Sequence, residues 1–394
     1  LLTQFIFELK RGLKNPLLYL GMIALVLFSF AQFQGEVKIS TRVYMAGDSR
    51  EKLYSHKNFM TQKEAVTFIE DEALAQIDND EIVRQFLLDS NDSYDQITLK
   101  NAQDSIAKLT EQIAVYKSRD FKKIQKFELA HDSLSVEDRL ATQYLLDHNI
   151  PAAPKIALQV DALPMIATVL KQPGATQQGP TKKAQLTIPL IIFLGSTLLA
   201  SVYLTFHRRQ KTIDFVDVLP LKKWQILSVN FAVTILLGLL MFLVGILIFI
   251  AIVALWPGHS LGFWQYPFGY ILQNQFLVVT IGEFFAKYFY FFFLWLLFLA
   301  SLQLFLAQLT KQPIILVAVT ALLLFLGPLG LLYQNSFKAF QTFFPSFYLG
   351  IADVVLNRGS FADISYQSVS LIFLAWSSIF LIFVAAIVKK RGRV

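Results

Sequence analysis

The chain has 394 residues, of which 55% are hydrophobic and 16% charged, with 37 Phe and a formal net charge of +7. A soluble domain carries roughly 25% charged residues, and long stretches of this chain hold no Asp, Glu, Lys or Arg at all. That distribution excludes an ordinary soluble globule, a disordered chain and a nucleic-acid-binding domain. Cysteine is absent, which excludes disulfides, thiolate nucleophiles and Cys-based metal sites. The five His are scattered, with no pair at helical ligand spacing and no HExxH, so no metal site is expected.

At the N-terminal end, residues 1–15, Leu2, Phe5, Ile6, Leu9 and Leu13 form one apolar stripe, opposed by Gln4, Glu8, Lys10, Arg11 and Lys14. This pattern predicts an amphipathic elbow helix in a membrane interface, with Phe5, Ile6, Leu9, Arg11 and Leu13 as its defining residues. Asn15-Pro16 then redirects the chain. A membrane-spanning helix needs about 20 apolar residues. The run around PLLYLGMIALVLFSFAQF places a first span at 16–33, and its length favours a retained span over a cleaved signal.

Residues 34–186 change character, with 19 Lys and Arg against 22 Asp and Glu. Three apolar patterns recur at helical spacing: Ala65 to Ile77, Ile82 to Leu87, and Ile106 to Tyr116. Asn79 or Asp80 is the expected cap of the helix at Ile82. Alternation at Val37–Met45 and at Ile156–Val160 predicts two short strands paired near the membrane. The stretch KQPGATQQGPTKK at 171–183 reads as a linker. No catalytic motif is present in this mainly helical domain, and its charges read as solvated helix faces.

A second span covers 187–206 and a third 226–256, separated by the polar segment 207–225, whose core is HRRQKTIDFVDVLPLKKWQI. Within it Ile213, Val216 and Leu219, or Phe215, Val216 and Leu219, would make the apolar ridge of a short helix, with Asp214 and Asp217 near its start and Pro220 ending it. Residues 257–282 follow, then a fourth span at 283–309 containing FFAKYFYFFFLWLLF. Glu283 and Lys287 at its edge, spaced i,i+4, suit a salt bridge or a gate. A fifth span at 313–333 is broken by Gly327, Pro328 and Gly330. The segments 261–272 and 337–356 are apolar but too interrupted to span, and are expected as interfacial or re-entrant helices, the latter within 334–366. A sixth span at 367–388 precedes a basic tail at 389–394.

With both termini inside, the inner segments hold thirteen Lys and Arg, against three on the other side. The positive-inside bias therefore places the termini in the cytoplasm and residues 34–186 outside. The basic excess then marks the inner face and its anionic lipids rather than nucleic acid. The fold class expected is an all-α integral membrane protein with six transmembrane helices, an elbow helix and a mainly helical extracellular domain with short strands near the membrane. Ionisable residues are nearly absent from the spans, which disfavours ion-coupled transport. No GxxxxGK[ST] is present, so energy from ATP would have to come through another chain.

This arrangement resembles the membrane (permease) subunit of ABC-2-type ABC transporters, in the subgroup with a large extracellular domain between the first two spans. RRQKTIDFVDVLPLKKWQIL is similar to the family's coupling-helix stretch through Arg208, Arg209, Lys211, Asp214, Leu219 and Pro220. The family often has a basic residue where this chain has Asn230. The resemblance implies an ATPase interface at Arg208, Arg209, Lys211, Asp214, Phe215, Asp217, Leu219 and Pro220. It also implies cytoplasmic ATPase partners that hold ATP and Mg, a second permease subunit, no cofactor in this chain, a place in the cytoplasmic membrane and export of a hydrophobic or amphipathic substrate. A mechanotransmitter or sensor that acts through the extracellular domain without transport is the alternative.

Overall fold

The computed structural model describes residues 1–37, 41–44, 51–54, 62–88, 92–130, 136–151, 161–171, 188–209, 222–255, 260–273, 275–327, 340–357, 359–362 and 364–391. Helices α1 (Leu2–Leu13) and α2 (Pro16–Val37) meet at a bend of 57°. The bend has a local cause. Pro16 has no N–H to continue the α1 ladder and its ring presets the first helical φ of α2. Asn15 Oδ1 accepts from the Leu17 N–H at 3.1 Å, so the new helix starts capped.

Strands β1 (Thr41–Tyr44) and β2 (Glu51–Tyr54) form an antiparallel hairpin with Thr41 opposite Tyr54. The strand expected within 37–45 is present, and its expected partner at 156–160 lies outside the described residues. Closing a short loop costs less chain entropy than a long-range pairing. Helix α3 (Gln62–Leu87) runs unbroken through Asn79 and Asp80. The expected cap there is therefore corrected: Asp80 Oδ1 instead accepts from Gln76 Nε2, one turn earlier, at 2.9 Å. Helix α4 (Ser93–Lys117) packs against α3 and is capped by Asp92, which accepts from the Tyr94 N–H at 2.9 Å. Helices α5 (Phe121–Ala130) and α6 (Val136–Asp147) pair with each other. The Tyr116 hydroxyl of α4 donates to Glu128 of α5 at 2.8 Å. Burial, and then the Glu128 charge, push this phenol above its ordinary pKa.

Among the described residues four helices are long and apolar enough to cross a membrane: α8 (Ile188–Arg209), α9 (Lys223–Ala254), α10 (Ile281–Leu309) and α13 (Tyr366–Arg391), with a fifth if the bent α1–α2 pair is taken as one span. Helix α11 (Pro313–Phe325) has 13 residues, about 20 Å of helix against a bilayer core of roughly 30 Å. Its helix ends well before residue 333 because the chain turns at Gly327. There a Cβ would lie 2.6 Å from the Ser346 carbonyl oxygen, so only glycine lets the two backbones approach. Pro328 and Gly330 lie outside the described residues. Short 3₁₀ turns at Gln341–Phe343 and Pro345–Tyr348 and helix α12 (Ile351–Val355) follow, and 345–357 is buried.

Helix α10 is the hub, packing on α8, α9, α11, α12 and α13. In its most apolar window 72% of residues are buried, against 17% for α13, so α13 is peripheral and α10 central. Its aromatic run fills that centre: Phe284, Phe285, Tyr288, Phe291, Phe292, Trp295 and Phe298 are all buried. Between helices in lipid, cohesion comes from close packing rather than expulsion of water, and stacked or edge-on rings supply it. Phe242 of α9 stacks on Phe292 at 4.1 Å and Phe193 of α8 on Trp295 at 4.8 Å. The Trp295 indole N–H donates to the Tyr348 carbonyl at 3.1 Å, which pins the buried 3₁₀ turn to the hub.

Residues 261–272 do not form the expected interfacial helix. Strands β3 (Pro267–Gln273) and β4 (Gln275–Thr280) make an antiparallel hairpin that also touches α6. Pro267 and Gly269 disfavour a helix, and the β-branched Val278, Val279 and Thr280 favour a pleated strand. The register irregularity falls between Pro267 and Gly269.

Candidate functional site

The amphipathic helix α1 turns a different face to the protein than its apolar stripe suggested. Leu2, Ile6 and Phe7 are exposed, whereas Glu8 and Gly12 are buried and Phe5, Leu9 and Leu13 pack against the core. Those buried and packed positions, spaced i, i+3, i+4, i+7 and i+8, lie on one helical face, against α9, where Leu237 touches Gly12. Of the stripe Leu2, Phe5, Ile6, Leu9 and Leu13, the Leu2–Ile6 edge faces outward, and Glu8 from the polar face goes in.

Glu8 is 1% exposed, and a carboxylate so placed persists only if compensated. Arg11 Nη2 pairs with Glu8 Oε2 at 2.7 Å, Gln4 Nε2 donates to Oε1 at 2.9 Å, and the Tyr203 hydroxyl of α8 lies 3.1 Å from Oε2. The same hydroxyl lies 3.2 Å from Asn230 Oδ1 of α9. One hydroxyl proton serves one acceptor at a time, so turning the Asn230 amide to present Nδ2 gives a continuous chain, Asn230 to Tyr203 to Glu8. The Arg11 guanidinium sits 4.5 Å from the Tyr203 ring centroid and 5.0 Å from that of Phe206, one turn apart on α8.

This clasp ties three elements together: α1, the last turns of α8 and the first turns of α9. Helix α8 ends at Arg208 and Arg209, and α9 begins at Lys223, so the clasp brackets the segment between them. Lys211, Asp214, Phe215, Asp217, Leu219 and Pro220 lie outside the described residues. Sequence patterning marked Arg11 but not Glu8, Tyr203 or Asn230 as its partners. The available signals were an i,i+3 Glu–Arg pair and two polar residues inside apolar runs.

Glu283 and Lys287, expected as a salt bridge or gate, are not paired with each other among the described residues. Glu283 forms a capping box with Thr280: its backbone N–H donates to Thr280 Oγ1 at 3.2 Å, and the Thr280 N–H to Glu283 Oε2 at 3.4 Å. The Lys287 ammonium lies 5.7 Å from the Tyr366 ring centroid. The start of α10 needed a cap more than Glu283 needed an ion pair, because four N–H groups there are otherwise orphaned.

At the opposite end a second polar lock holds helix α7 (Ala162–Lys171), an apolar segment that sequence patterning did not single out. Ala162, Leu163, Met165, Ile166 and Ala167 are completely buried, and α7 packs on α2, α9 and α10. The preceding residue, Asp161, is 1% exposed and accepts from the hydroxyls of Ser260 at 2.5 Å and Tyr266 at 2.9 Å. Gly262, at φ +81°, allows this contact, since a Cβ there would sit 2.8 Å from the Asp161 Cβ. Burial, and then Asp161, raise the Tyr266 phenol above its ordinary pKa.

Among the described residues no cluster of His, Asp and Glu is arranged to hold a metal. The described geometry is that of two polar locks on opposite ends of an apolar bundle. No curated protein and no solved structure gives a significant match. A family model described as ABC-2 family transporter protein matches residues 16–387, nearly the whole chain and all of the helices discussed beyond α1. The chain therefore belongs to the ABC-2 family of transporters, as a membrane-embedded permease component of an ABC transporter.

Proposed function

We propose that the chain is the permease subunit of an ATP-driven exporter that moves a hydrophobic or amphipathic substrate, a peptide, drug or lipid, across the cytoplasmic membrane. Separate cytoplasmic ATPase subunits bind ATP and Mg and supply the energy, and a second permease subunit completes the pathway. The six spans of this reading are α2, α8, α9, α10, the stretch 313–333 of which α11 is the described part, and α13, with both termini in the cytoplasm and α1 as the elbow. The observation that carries this reading is the Glu8–Arg11–Tyr203–Asn230 clasp. It joins the elbow to both flanks of 210–221, so a push on that segment is delivered to three helices at once. The test is co-purification with the ATPase subunit and ATPase activity of the complex. Asp214→Arg and Leu219→Arg should abolish both co-purification and transport into inverted vesicles, and a complex that survives both changes refutes the assigned contact.

One observation favours the alternative, a mechanotransmitter acting through its extracellular domain: α7 and Asp161 couple that domain directly to α2, α9 and α10. Substrate-stimulated ATPase activity with vesicle accumulation supports the exporter. ATPase activity that responds only to changes in residues 34–186, without accumulation of any compound, supports the mechanotransmitter.

A further inference from the structure

Helices α9 and α13 both rest on α10, and the gap between them at their Lys-bearing ends is an open groove of about 690 Å3. That volume lies within the roughly 300–1,000 Å3 of small-molecule sites. Its walls are apolar, formed by Leu227, Phe231 and Leu381 over a floor of Leu304. Its rim carries Lys222, Lys223 and Lys389, and among the described residues no carboxylate lines it. From Lys223 to Phe231, and from Leu381 to Lys389, the walls run eight residues, about 12 Å of helix, inward from the charged rim. Trp224, 59% exposed at that rim, is of the type that settles at headgroup level.

We infer that this groove is a binding site for an anionic phospholipid, with its phosphate on Lys222, Lys223 and Lys389 and an acyl chain between α9 and α13. The charge selects the headgroup and the depth selects the chain. A soluble acidic partner would meet the lysines but not the apolar walls, and a zwitterionic lipid would meet the walls but bring the lysines no net negative charge. Each lysine near a membrane surface is worth about fivefold in affinity for an anionic headgroup. The inference rests on the membrane reading alone, not on transport or on which leaflet the lysines face.

Native mass spectrometry of the full-length protein from micelles doped with dioleoyl phosphatidylglycerol or dioleoyl phosphatidylcholine tests it. Phosphatidylglycerol should be retained at least tenfold more tightly than phosphatidylcholine. The triple change Lys222→Gln, Lys223→Gln, Lys389→Gln should remove that preference, and Ala385→Trp, which fills the groove, should lower retention of both lipids. Equal retention of the two lipids by the unaltered protein overturns the inference, as does a triple variant that keeps the preference. Glycerol 3-phosphate binding as tightly as the whole lipid also overturns it, as does a groove covered by a second copy, seen as dimers lost in Ala385→Trp with no lipid bound. No ATPase subunit or transported substrate enters the assay, so its failure is separate from failure of the proposed transport function.

Discussion

Replacing Glu8 by Ala is the sharpest test of the clasp. The Glu8 side chain is 2% exposed and the Arg11 side chain 18%. Without the carboxylate, a largely buried guanidinium loses its 2.7 Å partner and the Tyr203 hydroxyl loses the acceptor of its proton. Removing one member of a buried ion pair costs about 3–5 kcal/mol; the residual exposure of Arg11 and its contacts with the Tyr203 and Phe206 rings place the cost near the lower end. The loss is a penalty for a charge that has lost its nearest counter-charge, so it should shrink when the charge is removed too. Glu8→Ala with Arg11→Met should therefore be more stable than Glu8→Ala alone, with a coupling energy of about 1–3 kcal/mol. Equilibrium unfolding of the full chain in mixed micelles, followed by helical circular dichroism, measures each corner of the cycle. A Glu8→Ala protein within about 0.5 kcal/mol of the original, or a coupling of zero, would refute the reasoning. Loss of ATPase coupling with intact stability would instead show that the clasp transmits motion without contributing to the fold.

Asp161→Ala leaves the Ser260 and Tyr266 hydroxyls without this acceptor, at a cost of about 1–3 kcal/mol, and hydrogen exchange in α7 should accelerate while exchange in α10 does not. Gly327→Val drives a side chain into the Ser346 carbonyl; it should cost about 1–3 kcal/mol and alter the emission of Trp295, which is bonded to the adjoining turn. Tyr116 is held protonated by burial and by Glu128, so its folded pKa lies above its unfolded value. The associated stability is complete below the unfolded value of about 10 and is lost as pH rises past it. Melting of Tyr116→Phe should accordingly fall less steeply between pH 9 and 11 than that of the original chain, and parallel curves would exclude this contribution.

Much of this molecule is legible from residue type and spacing. Uncharged runs locate the apolar helices because a chain in lipid must satisfy its own backbone, and the helix does so within one segment. Asn15-Pro16 locates the 57° bend because proline constrains the chain whatever surrounds it. Other features were open at that level. Periodicity distinguishes the polar from the apolar face of α1, but not whether a polar face meets water or another helix's hydroxyl. The inward turn of Glu8 was decided by Tyr203 and Asn230, far away in sequence. Asp80 and Glu283 show the same limit in miniature, since a carboxylate serves as cap, side-chain partner or solvated charge according to which donor lies nearest.

The sequence by itself determined that this chain belongs in a membrane, that its ionisable residues gather in loops and in residues 34–186, and that a polar segment joins two apolar helices. Those are properties of composition and local spacing, set by the cost of placing charge and unpaired backbone in hydrocarbon. Only the tertiary structure decided that α10 is the hub, that α7 is buried against the bundle, and that one carboxylate at each end is locked by hydroxyls from distant segments. The physical reason is that a buried charge is stable only where several partners converge, and convergence is a property of packing between segments, which no single segment specifies.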